Sequence, residues 1–290
     1  EILSGLVGSE MCIRDRGIKG YLSSIILSNF SVLLFLIVFT KAWTRIRVTN
    51  LSKSLMISMI KYSLPLIPNA FAWWINSSAD RYFILAFVGA SANGIYAVAS
   101  KIPTLLNIVS QIFFQSWQMS AVEEFNSEDA SVFYSKTFNY FAAFQFIGVA
   151  GLILILKPLM KFMVSPSYYI AWVYIPFLLL AVMYSSLSGF LGTTYTAAKR
   201  TAGIFLTTII GAASNIVFGI LFVPWLGLQG ASFAGFLSFA IVLITRLIDT
   251  KKFMPIKPNK KQFIVNHAVI LSMILVLFID SDLVYEFVLE

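Results

Sequence analysis

The sequence has few charged residues and almost none of the side chains that bind metals or form disulfides. Only 12% of its 290 residues are Asp, Glu, Lys or Arg, about half the usual share in a soluble domain. A single cysteine, Cys12, excludes a disulfide framework. A single histidine, His267, has no second His or Cys with which to hold a metal. These absences exclude a soluble globular protein, and neither a metal site nor a cofactor is predicted.

Apolar residues are abundant instead: 59% of the chain is hydrophobic, and 27 residues are phenylalanine. The net charge of +8 does not indicate a nucleic-acid-binding protein, because Lys and Arg occur in short clusters between long apolar runs. We therefore interpret the positive charge as a signal of membrane orientation.

The first sixteen residues are interpreted as foreign to the natural protein. Leu6 to Asp15 has the sequence that translation of a transposon-based sequencing-library adapter gives. The alternative is a genuine polar N-terminal tail. We assign residues 1–16 to the adapter, which removes Cys12 from the natural chain. The natural protein is then expected to begin upstream, and the sequence is interpreted as a C-terminal fragment.

Eight apolar segments are long enough for transmembrane helices, which need about 20 residues. They are residues 20–40, 62–85, 92–119, 136–156, 168–191, 202–223, 228–248 and 264–280. Their hydrophobicity is continuous rather than alternating, which favours helices over the strands of a barrel. The predicted fold class is an all-α polytopic membrane protein with about eight transmembrane helices.

Lys and Arg are distributed unequally between the two sides of these helices. Fourteen lie in one set of alternate loops and four in the other. The positive-inside rule assigns the richer set to the cytoplasm. Arg246 and the cluster from Lys251 to Lys261 are counted in this cytoplasmic set.

Polar residues of the second predicted span recur on one helical face. The face consists of Pro65, Asn69, Trp73, Asn76 and Asp80, at spacings of three or four residues. Such a stripe indicates a cavity, with Asp80, next to Arg81, as the candidate group for coupling to an ion. Pro65 and Pro68 are expected to bend the helix. The alternative is a helix that packs through Asn hydrogen bonds, with Asp80 and Arg81 as an exposed pair at its outer end.

The third predicted span carries a second polar stripe. Its members are Thr104, Asn107, Gln111, Gln115 and Gln118, with Lys101 at the edge and Pro103 as a helix-bending residue. Amides and hydroxyls can bind sugar hydroxyls, and Lys101 could pair with a diphosphate. Trp73, Trp74 and Trp117 offer flat faces to a sugar ring or a lipid chain. The alternative is interhelical hydrogen bonding together with interfacial aromatics.

Several sequence blocks in these spans resemble a known family. They are KYSLPLIPN at 61–69, WW at 73–74, DRY at 80–82, GIYAVA at 94–99 and K-IP at 101–103. In this order and spacing they are similar to the polysaccharide-transport branch, the O-antigen and exopolysaccharide flippases, of the multidrug/oligosaccharidyl-lipid/polysaccharide exporter superfamily. The resemblance covers Gly17 to about Asp249.

The resemblance implies an alternating-access transporter in which two six-helix lobes face each other around a central cavity. Residues 17–45 would be the last helix of a truncated N-terminal lobe and residues 46–60 a cytoplasmic connector. Residues 61–249 would form the C-terminal six-helix lobe, 250–263 a basic cytoplasmic loop, and 264–290 an extra helix and tail. A Gly-x-x-Gly motif at Gly17 and again at Gly227 would mark the sixth helix of each lobe.

The function that the resemblance implies is a flippase for undecaprenyl-diphosphate-linked oligosaccharide units in surface polysaccharide biosynthesis, including lipopolysaccharide. It implies a multi-pass protein of the bacterial cytoplasmic (inner) membrane, with a polysaccharide polymerase and chain-length proteins as partners. The residues predicted to line the substrate cavity are Asn69, Trp73, Asn76, Lys101, Asn107, Gln111, Gln115 and Trp117. The coupling ion is left as H⁺ or Na⁺, and no catalytic residue is predicted.

Two other functions are compatible with the sequence. A multidrug exporter of the same superfamily would share the fold. A membrane polymerase or ligase that acts on lipid-linked sugars needs carboxylate, His or Arg groups that converge on a sizeable outer loop. The outer loops of this sequence are short and contain no histidine, which favours a transporter over an enzyme.

Overall fold

The computed structural model describes residues 23–41 and 52–289, with side chains described up to residue 279. Every regular element in this part of the chain is helical. The all-α prediction is therefore confirmed. The adapter assignment and the first copy of the Gly-x-x-Gly motif lie outside the described residues.

Ten α-helices follow one another along the described chain. They are α1 (Ser23–Thr40), α2 (Lys53–Ser63), α3 (Leu66–Phe87), α4 (Ala90–Ala99), α5 (Lys101–Glu123), α6 (Ala130–Leu154), α7 (Leu156–Met163), α8 (Ile175–Ala197), α9 (Thr201–Thr250) and α10 (Lys260–Leu289). Short 3₁₀ helices at Glu124–Asn126 and Pro166–Tyr174 follow α5 and precede α8.

In the described part of the chain, six helical segments are long and apolar enough to cross a membrane, and there are seven if α4 and α5, which meet at a 44° bend, count as one span. Large apolar side chains cover the outside of these helices. Leu154 and Trp225, for example, are 75% and 87% exposed. Apolar surface of this extent is suited to lipid contact. The chain is therefore an α-helical polytopic membrane protein.

The helix α9 is a hairpin rather than one straight helix. Its 50 residues would extend for about 75 Å, whereas the apolar core of a bilayer is about 30 Å thick. Gly227 interrupts it with φ 57° and ψ −132°. Just beyond this bend, a Cβ on Gly230 would lie 2.3 Å from the carbonyl oxygen of Phe222. The chain thus turns back on itself at Gly227, which leaves a first arm, residues 201–226, and a second arm, residues 228–250.

Side-chain contacts confirm that the two arms run in opposite directions. Arg246 of the second arm donates hydrogen bonds to Thr207 and Thr208 near the start of the first arm. Nearer the bend, Asn215 donates to Ser238 at 3.5 Å. The pairs therefore meet in reverse order along the chain. The arms correspond to the sixth and seventh predicted spans.

The chain divides between Met59 and Ile60 into two compact units, the second of which holds α3 to α10. The centre of this second unit is α8, where 16 of the 23 residues are buried. The helices α5, α6 and α9 pack against α8, and α3 packs against α9. The domain boundaries drawn from the sequence stay predictions.

The basic segment between α9 and α10 is held against α6. Three polar residues on one face of α6 bind its backbone: Ser131 donates to the carbonyl of Pro255 at 2.7 Å, Ser135 accepts from the amide of Lys257 at 2.9 Å, and Asn139 accepts from the amide of Asn259 at 2.8 Å. Further on, the His267 ring bonds to the hydroxyl of Tyr184 and packs against Phe146 and Phe263. These contacts attach α10 to the rest of the second unit.

Candidate functional site

A cavity of about 320 Å³ lies between α3, α4, α5, α8 and the second arm of α9. Its polar lining is supplied by Asn76, Ser77, Asp80, Arg81, Tyr96, Ser100, Thr104, Asn107, Gln111 and Ser185. Trp73, Phe239 and a few aliphatic side chains complete the wall. A cavity with this much polar surface inside apolar helices is the arrangement that transporters use to hold a polar cargo.

Part of each predicted stripe lines this one cavity. Trp73, Asn76, Asp80 and Arg81 reach it from α3. Pro103, Asn107 and Gln111 reach it from α5. The three-or-four-residue spacing found these positions because all members of a stripe lie on the same side of their helix.

Four predicted cavity residues lie outside its wall. Lys101 and Gln115 are exposed on α5. Asn69 accepts a hydrogen bond from Thr208 of the first arm at 2.7 Å.

The fourth of these residues, Trp117, is only 4% exposed and belongs to the protein core. Its Nε1 donates to the hydroxyl of Thr193 at 2.7 Å, and its ring stacks on Phe190 at 4.4 Å between centroids. It comes six residues after Gln111, which places it about 120° around α5 from that cavity residue. The interpretation of Trp117 as a sugar-binding surface is therefore corrected to a packing role.

The prolines begin helices instead of bending them. Pro65 is the residue that precedes α3, and Pro68 lies in the first turn. Pro103 likewise lies in the first turn of α5, just after the 44° bend between α4 and α5. The first turn of a helix tolerates proline because its N–H groups have no intrahelical partner. The expected bend is thus a break between two helices.

Asp80 is a buried carboxylate held by two neutral donors. It is 8% exposed. Its Oδ2 accepts from the hydroxyl of Tyr96 at 3.0 Å, and its Oδ1 accepts from Nδ2 of Asn215 at 3.1 Å. Among the described residues no Lys or Arg forms an ion pair with it, and the neighbouring Arg81 is exposed. An exposed Asp80–Arg81 pair at the end of the helix is therefore not what the structure shows.

Unpaired amide atoms surround this carboxylate. Asn76 is fully buried, and within the described residues neither its Oδ1 nor its Nδ2 has a hydrogen-bond partner. Oδ1 of Asn215 is also buried without a partner in this part of the chain. Each such atom costs about 1–3 kcal/mol of stability, and buried polar groups without partners are rare in native proteins. The cluster formed by Asp80, Asn76, Asn215 and Tyr96 therefore has bonding capacity left for a ligand, and its oxygens suit a hard cation or a proton.

Arg246 lies inside the helix bundle and not in the cytoplasmic loop to which the charge count assigned it. It is 3% exposed. The helix continues to Thr250, so Arg246 lies a full turn before its end. The guanidinium donates to Ser188 O at 2.7 Å, Thr208 Oγ1 at 2.9 Å and Thr207 Oγ1 at 3.1 Å. The loop assignment is corrected.

Sequence reasoning missed Tyr96, Asn215 and Arg246 as parts of this region. Asn215 lies between Gly211 and Gly219 at four-residue spacing, and the helices pack closely here, since a Cβ on Gly211 would lie 2.2 Å from Cγ2 of Val242. A signal was nevertheless present in the sequence, because Asn215 and Arg246 both fall inside predicted spans, where polar residues are functional candidates.

The fold and the cavity define a class: a polytopic α-helical membrane protein with a polar cavity among its helices. Among solved structures, the chain is similar to the lipid II flippase MurJ in an inward closed conformation, with a TM-score of 0.62 and 16% sequence identity. The similarity covers 99% of this chain and 66% of the MurJ chain. No family model and no curated protein matches the sequence. At this identity the likeness concerns the fold alone.

Proposed function

We propose that this chain is part of a flippase that moves a lipid-linked, sugar-containing cargo across a membrane. The observation that carries the proposal is the cavity, where polar stripes of two helices converge inside a fold like that of the lipid II flippase MurJ. As the chain spans 66% of the MurJ chain, the activity is proposed for the whole protein to which it belongs.

The cavity wall has the chemistry of a sugar site. Asn107, Gln111 and Thr104 offer donors and acceptors that match ring hydroxyls, and the Trp73 ring offers a flat apolar face. The volume of about 320 Å³ is at the lower end of the range for ligand pockets, about 300–1,000 Å³. It suits one part of a cargo and not a whole oligosaccharide.

The finer proposal is that the cargo is an undecaprenyl-diphosphate-linked oligosaccharide repeat unit, exported across the bacterial cytoplasmic membrane for surface polysaccharide. The sequence blocks at 61–69, 80–82 and 94–103 support this branch of the superfamily. Lys101 begins α5 directly after Ser100, which lines the cavity. We propose that Lys101, which is exposed at the edge of the cavity and outside its wall, pairs with the diphosphate. A polysaccharide polymerase and chain-length proteins would act next on the exported unit.

We also propose that Asp80 binds the coupling ion, H⁺ or Na⁺. A buried carboxylate without a cationic partner within the described residues is costly unless a proton or a cation neutralises it. Asn76 and Asn215 have unused oxygen atoms beside it. Binding and release of the ion would change the charge of α3 at the cavity wall during the transport cycle.

Deletion of the full-length gene tests the proposed function. We expect loss of surface polysaccharide and accumulation of the lipid-linked repeat unit on the cytoplasmic side, both restored by the full-length protein. A Gln111→Ala protein should restore export poorly, whereas Ile112→Ala, the next residue on α5 and outside the cavity wall, should restore it fully. A deletion strain that keeps its polysaccharide but becomes sensitive to toxic compounds would support a drug exporter instead. Turnover of lipid-linked sugars by the purified protein would support an enzyme.

A further inference from the structure

Arg246 is a buried cation that lacks an anionic partner. Among the described residues no carboxylate forms an ion pair with it, although it is 3% exposed. Its three protein acceptors, Ser188, Thr207 and Thr208, are a carbonyl and two hydroxyls, all neutral. A guanidinium has five N–H donors, so two are left for a further acceptor. A buried charge of this kind is normally paired.

The guanidinium packs against a glycine of α8 and the indole of Trp73. Gly192 of α8 faces it, and a Cβ at that position would lie 3.0 Å from Nη1. The ring of Trp73 lies over Cζ of Arg246 at 5.9 Å from the ring centroid. An aromatic face attracts a cation, but less strongly than an anion with a bidentate hydrogen bond does. The indole therefore occupies a position that a stronger ligand could take.

Trp73 separates Arg246 from the cavity. Its side chain lines the cavity and packs edge-on against Phe239, another wall residue, at 5.5 Å. A rotation of this one side chain would thus extend the cavity to the guanidinium. Arg246 lies a turn before the end of the second arm, on the side that the positive-inside rule assigns to the cytoplasm. A cargo that enters from the cytoplasm would reach it early.

We propose that Arg246 is an anion-binding residue that takes a phosphate group of the cargo when Trp73 moves off its guanidinium. The site rests on the proposed function, because a lipid-diphosphate cargo supplies the anion. The planar, permanently charged fork matches two phosphate oxygens, and the two free N–H donors are then satisfied. Trp73 covers the charge while the cavity is empty.

Binding of inorganic pyrophosphate to the purified full-length protein in detergent tests the site without any transport assay. Trp73→Ala removes the cover and should increase the affinity at least about threefold, since the anion no longer displaces the ring. Arg246→Met in the Trp73→Ala background should remove this gain and weaken binding at least about tenfold, the effect of losing a charged hydrogen-bond partner. Arg246→Lys should keep part of the gain, because a lysine offers charge without the fork.

Arg200→Met in the Trp73→Ala background is the control, because Arg200 is exposed and lies outside the cavity wall, and there the gain from Trp73→Ala should persist. The proposal is overturned if Trp73→Ala leaves pyrophosphate affinity unchanged, or if the gain survives Arg246→Met. Should the Arg246→Met protein fail to fold, the pyrophosphate affinities of the Trp73→Ala and Arg246→Lys proteins still test the proposal. If pyrophosphate binds as expected in a protein that exports no polysaccharide unit, the anion site stands and the proposed cargo is wrong.

Discussion

Asn215 donates a hydrogen bond to Asp80 at 3.1 Å and so joins the first arm of α9 to α3 within the protein interior. Tyr96 of α4 donates to the other oxygen of the same carboxylate. Three helices therefore meet at one acidic group that also lines the cavity. A change in the charge of Asp80 would act on all three helices at once, which is the property required of a group that couples ion binding to a rearrangement.

Asp80→Asn should abolish ion-driven export in the full-length protein while the protein stays folded. The amide has the shape of the carboxylate, and its oxygen can still accept a hydrogen bond from Tyr96 or Asn215, but it carries no charge and cannot titrate. Export of the lipid-linked unit, measured with and without the ion gradient, checks this. Asp249→Asn is the matched control, since Asp249 is paired with Lys252 away from the cavity. Unchanged export with the same dependence on the gradient would show that Asp80 is not the coupling group.

Replacement of two asparagines by leucine should change thermal stability in opposite directions. Asn76→Leu removes two buried amide atoms that have no partner among the described residues, and it should stabilise the protein by about 1–3 kcal/mol. Asn215→Leu removes a donor to the buried Asp80 and should destabilise it by a similar amount. The melting temperatures of the purified full-length proteins in detergent show the direction of each change.

We expect export to fall in the Asn76→Leu protein despite its higher melting temperature, because the lost amide lines the cavity. A gain in stability with a loss of function is expected where unpaired polar atoms are retained in the protein interior to bind a ligand. A lower melting temperature for Asn76→Leu would mean that its amide has partners in the folded protein.

Gly230→Ala should destabilise the hairpin of α9. The new methyl group would meet the backbone oxygen of Phe222 at 2.3 Å, and backbone atoms cannot move aside as a flexible side chain can. We expect a loss of about 1–3 kcal/mol, the usual cost of overpacking, seen as a lower melting temperature. Gly151→Ala is the control, because a Cβ there has no atom within 4 Å. In a helix this change should be neutral or stabilising by up to about 1 kcal/mol.

Trp117→Phe should reduce stability without reducing export per folded molecule. Phenylalanine keeps the stacking on Phe190 but loses the hydrogen bond to Thr193, which is worth about 1 kcal/mol. Melting temperature and export, normalised to the amount of folded protein, are the two measurements. A specific loss of export at normal stability would return Trp117 to the list of cargo-binding residues.

Asn139→Leu should loosen the segment between α9 and α10. Asn139 bonds to two backbone groups of this segment, Lys257 O and Asn259 N, and leucine can bond to neither. Cleavage by trypsin after Lys260 should therefore become faster in the detergent-purified protein. Thr137→Val, which alters a hydroxyl bonded only within α6, should leave the cleavage rate unchanged.

The sequence was sufficient to predict the helices and which residues share a helix face, because both depend on periodicity. Trp73, Asn76 and Asp80 recur at helical spacing, and so do Asn107 and Gln111 on α5. Such a pattern gives the face of a helix but not the neighbour opposite it. It therefore could not show that Tyr96 and Asn215 complete the site around Asp80, since those contacts join residues 16 and 135 positions away.

For this chain, the count of charged loop residues gave a wrong prediction for Arg246, and the spacing of residues along α5 gave a wrong one for Trp117. The charge count treats every Arg near a span end as a loop residue, whereas α9 continues for a turn beyond Arg246 and buries it. A tryptophan can bind a sugar or pack in the core, and only the packing of α5 against α8 distinguishes the two roles for Trp117. The pairing of helices is a tertiary property, and local sequence does not determine it.

Photo-crosslinking of the cargo to the cavity wall tests the central claim most directly. A photoreactive phenylalanine analogue at Gln111 of the full-length protein, expressed in cells that make the lipid-linked unit, should become covalently attached to that unit on irradiation. The same analogue at Trp225, which is 87% exposed on the outer surface, should not. Attachment at position 111 and its absence at 225 is the result that we predict. No attachment at 111, or equal attachment at both positions, would contradict the assignment of this cavity to a lipid-linked cargo.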